Sequence, residues 1–442
     1  MTDEDNTDQE NTGRNGADPA ARDPAAGLEG RPGVSRRGFV LGAAAGSAAL
    51  GAAAGIVGTR GIEAANAEPA DPFNGDVEHV FYTGDHQAGI RTPPQRYCVF
   101  MTFDLSAVEA SELQVLLARW SAAIAQLMKG LTVGSAAPTQ PSAIPGDTGE
   151  AVDLGPSSLT VTLGLGPGVF DERFGLAAKK PAFLADLPAL PSDVLQPGLT
   201  GGDLSLQACA DDPQVAYHAI RDLARMGRGT VTTRWTVIGF GRASAGPDQA
   251  TPRNLLGFKD GTRNVTTDAE YDSFVWAGDG DQEWMRGGTY QVARKIQMNI
   301  EIWDADRVGD QQDVFGRFKG TGAPLTGAHE HDTPHFARTD AAGAAIIPQT
   351  SHIALAAHEN NGGLKILRRP YNYTDGISQY GQLDAGLLFL AYVNDPEHFV
   401  RLQRKLGSSD RLNDYIAHIG SAVFAIPPAP TVGHYIGQAL FD

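Results

Sequence analysis

An ordered alternation of strand-like and helix-like segments between residues 97 and 240 is the strongest constraint on how this chain folds. Residues 97–105 (YCVFMTFDL) are rich in aromatic and β-branched residues, and residues 108–128 carry apolar residues at helical spacing without Gly or Pro. The same criteria predict strands at 159–165, 203–210 and 230–240, and a helix at 213–226. The order β-α-β-β-α-β predicts a ferredoxin-like unit, in which helices cover an antiparallel sheet.

The second half of the chain repeats this pattern less clearly. It contains predicted strands at 288–303, 386–393 and 421–426, helices at 304–315 and 395–406, and an edge element of the sheet at 352–357. The length of 442 residues allows two or three domains at about 150 residues each. We therefore predict an α+β protein with two ferredoxin-like domains, at residues 68–245 and 246–442.

Only two cysteines occur, Cys98 and Cys209. This number excludes a disulfide framework, a Cys-rich structural zinc site and an iron–sulfur cluster. In the predicted ferredoxin-like sheet the first and third strands are parallel neighbours. Because Cys98 begins one and Cys209 ends the other, we expect them at opposite ends. A disulfide needs Cα atoms within about 7 Å, so we expect two buried thiols rather than a bridge.

The chain is acidic, with 35 Lys and Arg against 52 Asp and Glu and a net charge of −17. Nucleic-acid binding without sequence preference depends on Lys and Arg that neutralise phosphates, so the acidic charge argues against this function. An electrostatic membrane anchor is disfavoured for the same reason.

The N-terminal segment, residues 1–67, has the features of an export signal. A polar, acidic tail with the composition of a disordered segment precedes Arg36 and Arg37, and an uncharged Ala/Gly-rich stretch follows to Thr59. Residues 65–67 (ANA) form a small-x-small cleavage pattern. These features predict twin-arginine export with cleavage near 67/68 and no stable membrane insertion afterwards. The alternative is a retained transmembrane anchor, which the low hydrophobicity of the stretch disfavours.

Two segments carry combinations of residues suited to chemistry. Residues 257–264 (GFKDGTRN) hold Asp260 next to Gly261. The glycine lets the backbone approach a ligand closely, but the same two residues are also typical of an ordinary Asp-Gly turn. Residues 350–373 (TSHIALAAHENNGGLKILRRPYNY) hold two histidines before an Asn-Asn-Gly-Gly turn and two arginines after it. A third cluster, His329, His331 and His335, could bind zinc or copper, although the neighbouring Asp and Pro favour a polar surface loop.

Six segments, in order along the chain, resemble the dye-decolourising peroxidase family. They are GDHQAGIRTPPQ at 84–95, GGDLSLQACADDP at 201–213, GFKDGT at 257–262, FGRFKGTGAPL at 315–325, SHIALAAHEN with ILRRPYNY within 351–373, and DAGLLFLAYVNDP at 384–396. The export signal and long insertions resemble an exported subgroup that includes the iron-transport-associated, deferrochelatase-like members. The resemblance covers nearly the whole chain after the signal.

This resemblance implies one haem b per chain, bound mainly by the C-terminal half. His352 matches the proximal ligand of the iron, with His358 as its rival. Asp260 matches the distal aspartate of the family, and Arg368 the distal arginine that also contacts the haem.

The resemblance also implies several supporting roles. Asp384 matches a carboxylate behind the proximal histidine, and Leu387 and Phe389 match apolar residues that shield the distal face. Possible partners of the haem propionates are Arg263, Arg317 and the backbone of Thr262.

The implied function is the reduction of hydrogen peroxide with one-electron oxidation of bulky aromatic, dye-like or phenolic reductants. An aspartate suits the proton transfer because its ordinary pKa of about 4 leaves it unprotonated under acidic conditions. Two alternatives remain: an exported haem-binding protein that releases or oxidises iron, and a ferredoxin-like binding module without a cofactor. A homo-oligomer is possible.

Overall fold

The computed structural model describes residues 77–81, 84–106, 109–241 and 250–442. All of them belong to one compact unit, Pro69–Asp442. The twin-arginine segment, its cleavage site and the predicted domain boundary at 245/246 lie outside the described residues. Within the described ranges, we find no helix with the length and hydropathy needed to cross a membrane.

The first half of the described chain folds as the sequence predicts. Its elements are β1 (Tyr97–Leu105), α1 (Ala110–Leu127), β2 (Thr160–Leu165), β3 (Leu204–Ala210), α2 (Pro213–Met226) and β4 (Val231–Phe240). The strands pair antiparallel in the order β2-β3-β1-β4, which is the ferredoxin-like arrangement. Helix α2 begins where it does because the Asp212 side chain accepts hydrogen bonds from the backbone of Gln214 and Val215, and Pro213 follows the cap.

The second half has the same strand order with more helices. Its elements are α3 (Asp268–Phe274), β5 (Thr289–Met298), α4 (Ile300–Ala305), α5 (Val308–Phe315), α6 (His352–Ala356), β6 (Leu367–Arg368), β7 (Tyr371–Ile377), β8 (Leu383–Val393), α7 (Glu397–Ser409) and β9 (Ile416–Ile426). Strand order β9-β5-β8-β7 repeats the ferredoxin-like arrangement. The predicted class, α+β with two ferredoxin-like units, is confirmed.

The two four-stranded sheets join into one sheet that closes on itself. Strand β2 pairs with β9 through Leu165 and Ala425, and β4 pairs with β7 through Gly239 and Tyr373. Successive side chains of a strand point to opposite faces, so each strand contributes residues to the enclosed interior and to the outer faces. The interior is aromatic; it contains Phe100, Trp235, Tyr371, Tyr373, Tyr392 and Phe424.

The prediction for the second half is wrong in two elements and misses two strands. The strand predicted at 288–303 ends at Met298, and helix α4 occupies the rest. The edge element predicted at 352–357 is the helix α6, and strands β6 and β7 were not predicted. Short apolar runs such as IEIW and HIALA fit a strand and a helix equally well, because they are too short to display a helical period.

The predicted placement of the two cysteines is also wrong. Strand β3 lies between β1 and β2 and runs antiparallel to both, so the first and third strands are not parallel. Cys98 and Cys209 are therefore direct partners across the β1–β3 pair, and both are completely buried.

Candidate active site

A cleft of about 1650 Å³, including its open mouth, lies between the C-terminal sheet and its helices. Strands β5, β6, β8 and β9 contribute one set of lining residues, and helices α6 and α7 contribute another. Much of the lining is apolar: Leu256, Ile296, Met298, Phe315, Leu387, Phe389, Phe399, Leu402, Leu406, Leu412 and Ile416. The sequence-predicted residues Asp260, Arg368 and His352 all line this cleft.

Asp260 and Arg368 form an ion pair at the cleft. Arg368 donates from Nη1 to Oδ1 of Asp260 at 3.0 Å and from Nη2 to the carbonyl of Thr262 at 3.1 Å. The Asp260 backbone donates to the carbonyl of Pro252 at 2.8 Å, and Gly261 follows with φ of +134°, a conformation that favours glycine. The loop therefore holds the carboxylate in one position, with Arg368 fixing one of its oxygens.

Asn264 positions Arg368 and was not predicted. Its side-chain oxygen accepts from the Arg368 backbone N–H at 2.9 Å, and its amide donates to the Arg368 carbonyl at 2.7 Å. Asn264 lies in the GFKDGTRN segment, but nothing in the sequence indicates its pairing with a strand far along the chain.

His352 is anchored by a buried carboxylate. Its Nδ1 lies 2.6 Å from Oδ2 of Asp410, whose other oxygen accepts from the backbone of Leu412 at 2.9 Å. Burial lowers the pKa of His352, but the charge and hydrogen bond of Asp410 outweigh burial, so the pKa lies above its ordinary value. The other ring nitrogen, Nε2, has no hydrogen-bond partner among the described residues and is available for a ligand.

The structure corrects the role expected of Asp384. This residue lies near the start of β8, accepts from Nε2 of Gln297 at 3.2 Å and does not line the cleft. Asp410 follows helix α7 and is the carboxylate that contacts His352. Because the contact joins two separate helical segments, no local motif could have revealed Asp410.

His358 also lines the cleft, but its ring already faces charged side chains. Its Nδ1 lies 3.4 Å from Nη2 of Arg263 and 3.3 Å from a carboxylate oxygen of Glu359. Burial, together with Arg263 and Lys365, lowers its pKa although Glu359 acts in the opposite sense. Between the two histidines, His352 has the geometry that better fits a metal ligand, because a carboxylate fixes one nitrogen and leaves the other free.

Four arginines line the cleft: Arg263, Arg294, Arg317 and Arg368. Arg317 is only 7% exposed, and its Nη1 donates to the carbonyls of Gly322 at 2.7 Å and Glu330 at 3.0 Å. No carboxylate of the described residues lies within ion-pair distance of its guanidinium. Burial first, and then the charges of Arg263 and Arg368, lowers the pKa of Arg317 to about 10. An anion bound in the cleft would relieve this repulsion.

The remaining predicted residues are placed as follows. Arg263 forms an ion pair with Glu359. The Thr262 hydroxyl donates to Oε1 of Glu330 at 2.9 Å, and its carbonyl accepts from Arg368, so the Thr262 backbone contacts the distal pair. On β8, Leu387 and Phe389 both point into the cleft.

The histidines at 329, 331 and 335 are not gathered into a metal-ligand group in the described part of the chain. The side chain of His331 is 71% exposed. Among the described residues, the group with ligand atoms close enough together to hold a metal ion consists of Asp147, His218 and Asp222, and all three are buried. Asp147 accepts from the backbone of Val133 and Gly149, so it organises the loop that precedes β2.

The cleft fits haem on three grounds. Its walls are apolar, as a flat porphyrin requires, and His352 offers a free Nε2 with a carboxylate on Nδ1. Arg317 is a buried cation without a carboxylate partner in the described ranges, which fits a propionate.

Comparisons with known proteins agree with this geometry. A family model described as Dyp-type peroxidase, N-terminal, matches residues 87–241, and one described as Dyp-type peroxidase, C-terminal, matches residues 251–431. A deferrochelatase of Yersinia pestis is 36% identical over 425 residues, which cover 92% of this chain and 95% of the relative. A deferrochelatase of Escherichia coli K12 is 40% identical over 374 residues, which cover 81% of this chain and 86% of the relative.

Solved structures are similar over the same region. An oxyferrous complex of DtpA from Streptomyces lividans has a TM-score of 0.78 and 38% identity, covering 85% of this chain and 100% of that one. A DyP-type peroxidase from Cellulomonas bogoriensis has a TM-score of 0.76 and 37% identity, covering 84% of this chain and 100% of that structure's chain.

Replacing Asp410 by Asn removes the charge that raises the pKa of His352. In the haem-free protein we expect this pKa to fall below its ordinary value of 6.5, because burial, the largest effect, and the charge of Arg368 are then opposed only by the weaker effect of Asp260. An NMR titration of the His352 ring measures the shift. Asp384→Asn is the matched control and should leave the pKa unchanged; an equal effect of both variants would contradict the assignment of Asp410.

Proposed function

Because this chain belongs to the Dyp-type peroxidase family, we propose that His352 holds a haem iron in it and that Asp260 and Arg368 handle hydrogen peroxide. The reaction is the reduction of peroxide with oxidation of a bulky aromatic, dye-like or phenolic reductant. One observation carries the residue roles: a carboxylate–guanidinium pair and a carboxylate-anchored imidazole line the same apolar cleft.

Haem, when bound, supplies an iron that takes up peroxide and accepts electrons from the reductant. His352 would hold the iron through Nε2, and Arg317 with Arg263 would bind the propionates. Leu387 and Phe389 exclude water from the reacting face, which strengthens the electrostatic interactions there.

Asp260 moves the proton of the peroxide. Reduction of one peroxide by two electrons and two protons gives two waters, and it requires a proton to leave one oxygen and reach the other. Oδ1 of Asp260 is held by Arg368, whereas Oδ2 accepts no hydrogen bond from the described residues and can receive this proton. Arg368 orients the carboxylate through its hydrogen bond to Oδ1 and stabilises negative charge on the departing oxygen.

Asp410 acts on the other side of the imidazole. By accepting the hydrogen bond of Nδ1, it fixes the tautomer that leaves Nε2 free and makes the ring more electron-rich. Asp410 is a positioning residue, because it reaches the iron only through His352.

We also propose that the protein is exported by the twin-arginine pathway and works outside the cytoplasm. The support is the sequence of residues 35–67, with two adjacent arginines, a weakly hydrophobic stretch and a small-x-small site. This pathway carries folded proteins, so haem would be inserted before export.

Replacing Asp260 by Ala should slow the reaction with peroxide roughly 10²–10⁴-fold, the usual contribution of a positioned acid–base group. Haem should remain bound, because Asp260 does not contact His352. Stopped-flow spectroscopy after addition of peroxide measures the rate. The exposed Asp304→Asn serves as the control carboxylate; an unchanged rate in Asp260→Ala would remove the assigned role.

Replacing His352 by Ala should weaken haem binding and change the Soret spectrum, because the iron loses its protein ligand. The matched variant is His358→Ala, which should retain haem with the wild-type spectrum. Haem content and absorbance of both purified variants decide between the two ligands. The reverse result would assign the iron to His358.

A second candidate function is the release of iron from haem, because curated relatives with 36–40% identity are named deferrochelatases. Peroxide turnover and iron trapped by a chelator can be followed in parallel with the same haem-loaded protein. We expect peroxide turnover to be lost in Asp260→Ala. Iron release that persists in this variant, with little peroxide turnover by the wild type, would favour the second function.

A further inference from the structure

The two cysteines face each other inside the closed sheet. Cys98 on β1 and Cys209 on β3 are direct partners in an antiparallel pair, and both have 0% exposure. Such partners have Cα atoms about 4.5–5.5 Å apart, within the range of roughly 4.4–6.8 Å found in disulfides. The two thiols are also joined by a side-chain hydrogen bond. The backbone therefore brings the sulfurs together without any rearrangement of the strands.

A buried guanidinium lies beside this pair. Arg369 is only 2% exposed and donates to the carbonyl of Thr92 and the side-chain oxygen of Gln95. Among the residues that the structure describes, no carboxylate lies within ion-pair distance of it. Its guanidinium lies close enough to Cys209 for the two groups to interact electrostatically.

A buried cation without a counter-ion is costly, and among the described residues near Arg369, Cys209 can supply a negative charge by a modest pKa shift. Burial raises the pKa of Cys209, but the hydrogen bond from Cys98 and the charge of Arg369 outweigh burial and lower the pKa to about 6. Burial and the neighbouring Cys209 raise the pKa of Cys98 well above its ordinary value. The charge of Arg369 thus favours the thiolate at Cys209, and Cys98 remains the thiol of the pair.

We propose that Cys98 and Cys209 form a second peroxide-reactive site, in which Cys209 is the nucleophile and Cys98 closes a cross-strand disulfide. The Cys209 thiolate attacks one peroxide oxygen; the O–O bond breaks, and hydroxide leaves and takes up a proton as water. Cys209 is then a sulfenic acid. The Cys98 sulfur attacks the Cys209 sulfur, the S–O bond breaks, and the hydroxyl leaves with the Cys98 proton as a second water.

Polar groups give peroxide a partner inside the sheet. Gln207 accepts from Gln291 at 3.1 Å and from Tyr392 at 2.6 Å, and it donates to the carbonyl of Gly89. Peroxide is little larger than water and can hydrogen-bond to such groups. Because the strands must open locally to admit it, the thiol reaction is slower than the reaction in the cleft.

The test uses the holoenzyme, reduced with a phosphine and desalted, with cyanide on the haem iron so that peroxide is not consumed there. After peroxide, the protein is denatured in N-ethylmaleimide, digested without reduction and analysed by mass spectrometry. We expect the peptides of Cys98 and Cys209 to lose their maleimide adducts together, and a single disulfide-linked peptide pair to appear.

Two variants separate the roles of the sulfurs. In Cys98→Ser, oxidation should stop at the sulfenic acid of Cys209, which dimedone traps. In Cys209→Ser, Cys98 should keep its thiol. Full maleimide labelling of both cysteines in the peroxide-treated wild type would overturn the proposal, as would equally fast oxidation of Cys98 in Cys209→Ser. Neither variant changes the cleft, so peroxidase activity reports independently on the function proposed above.

Discussion

The pairing of β6 with β8 determines which chemistry each side chain of this region can perform. Arg368 stands opposite Ala391 in this pair and points into the cleft, where it binds Asp260. Arg369, the next residue, points into the sheet interior, where it meets Cys209. A slip of one residue would exchange the two guanidiniums. The two hydrogen bonds between the Asn264 side chain and the Arg368 backbone therefore maintain both environments, because they fix the position of β6.

Much of the fold could be predicted because its signals are local. The first unit has long strands with aromatic and β-branched residues, and Asp212 caps helix α2. The bounds of its strands and helices were therefore predicted within two residues. The second unit has short elements whose identity depends on what they pack against. Helix α6 has five residues and β6 has two, which is too short for a periodic pattern.

The candidate site could be predicted in part from motifs. The distal pair and the two histidines lie in segments that the family resemblance identifies, and the structure brings Asp260, Arg368 and His352 to one cleft. Contacts between separate elements were not accessible in this way. Asp384 was expected to be the carboxylate that contacts His352, but this carboxylate is Asp410. The packing of α7 against α6 brings Asp410 to His352, and no sequence motif records that packing.

The distribution of buried positive charge connects the cleft with the sheet interior. In water a guanidinium needs no partner, but inside the protein it must be matched by an anion or lose much of its solvation energy. Arg294 shows the ordinary solution, an ion pair with Asp193. Arg317 and Arg369 have no carboxylate among the described residues, so the negative charge must come from elsewhere. For Arg317, which borders an open cleft, a bound ligand can supply it. Arg369 is enclosed by the sheet, so its negative partner must come from the protein. Cys209 lies beside Arg369 and can supply that charge. The same electrostatic requirement thus favours an anionic cofactor in one place and supports the thiolate proposed at Cys209 in the other.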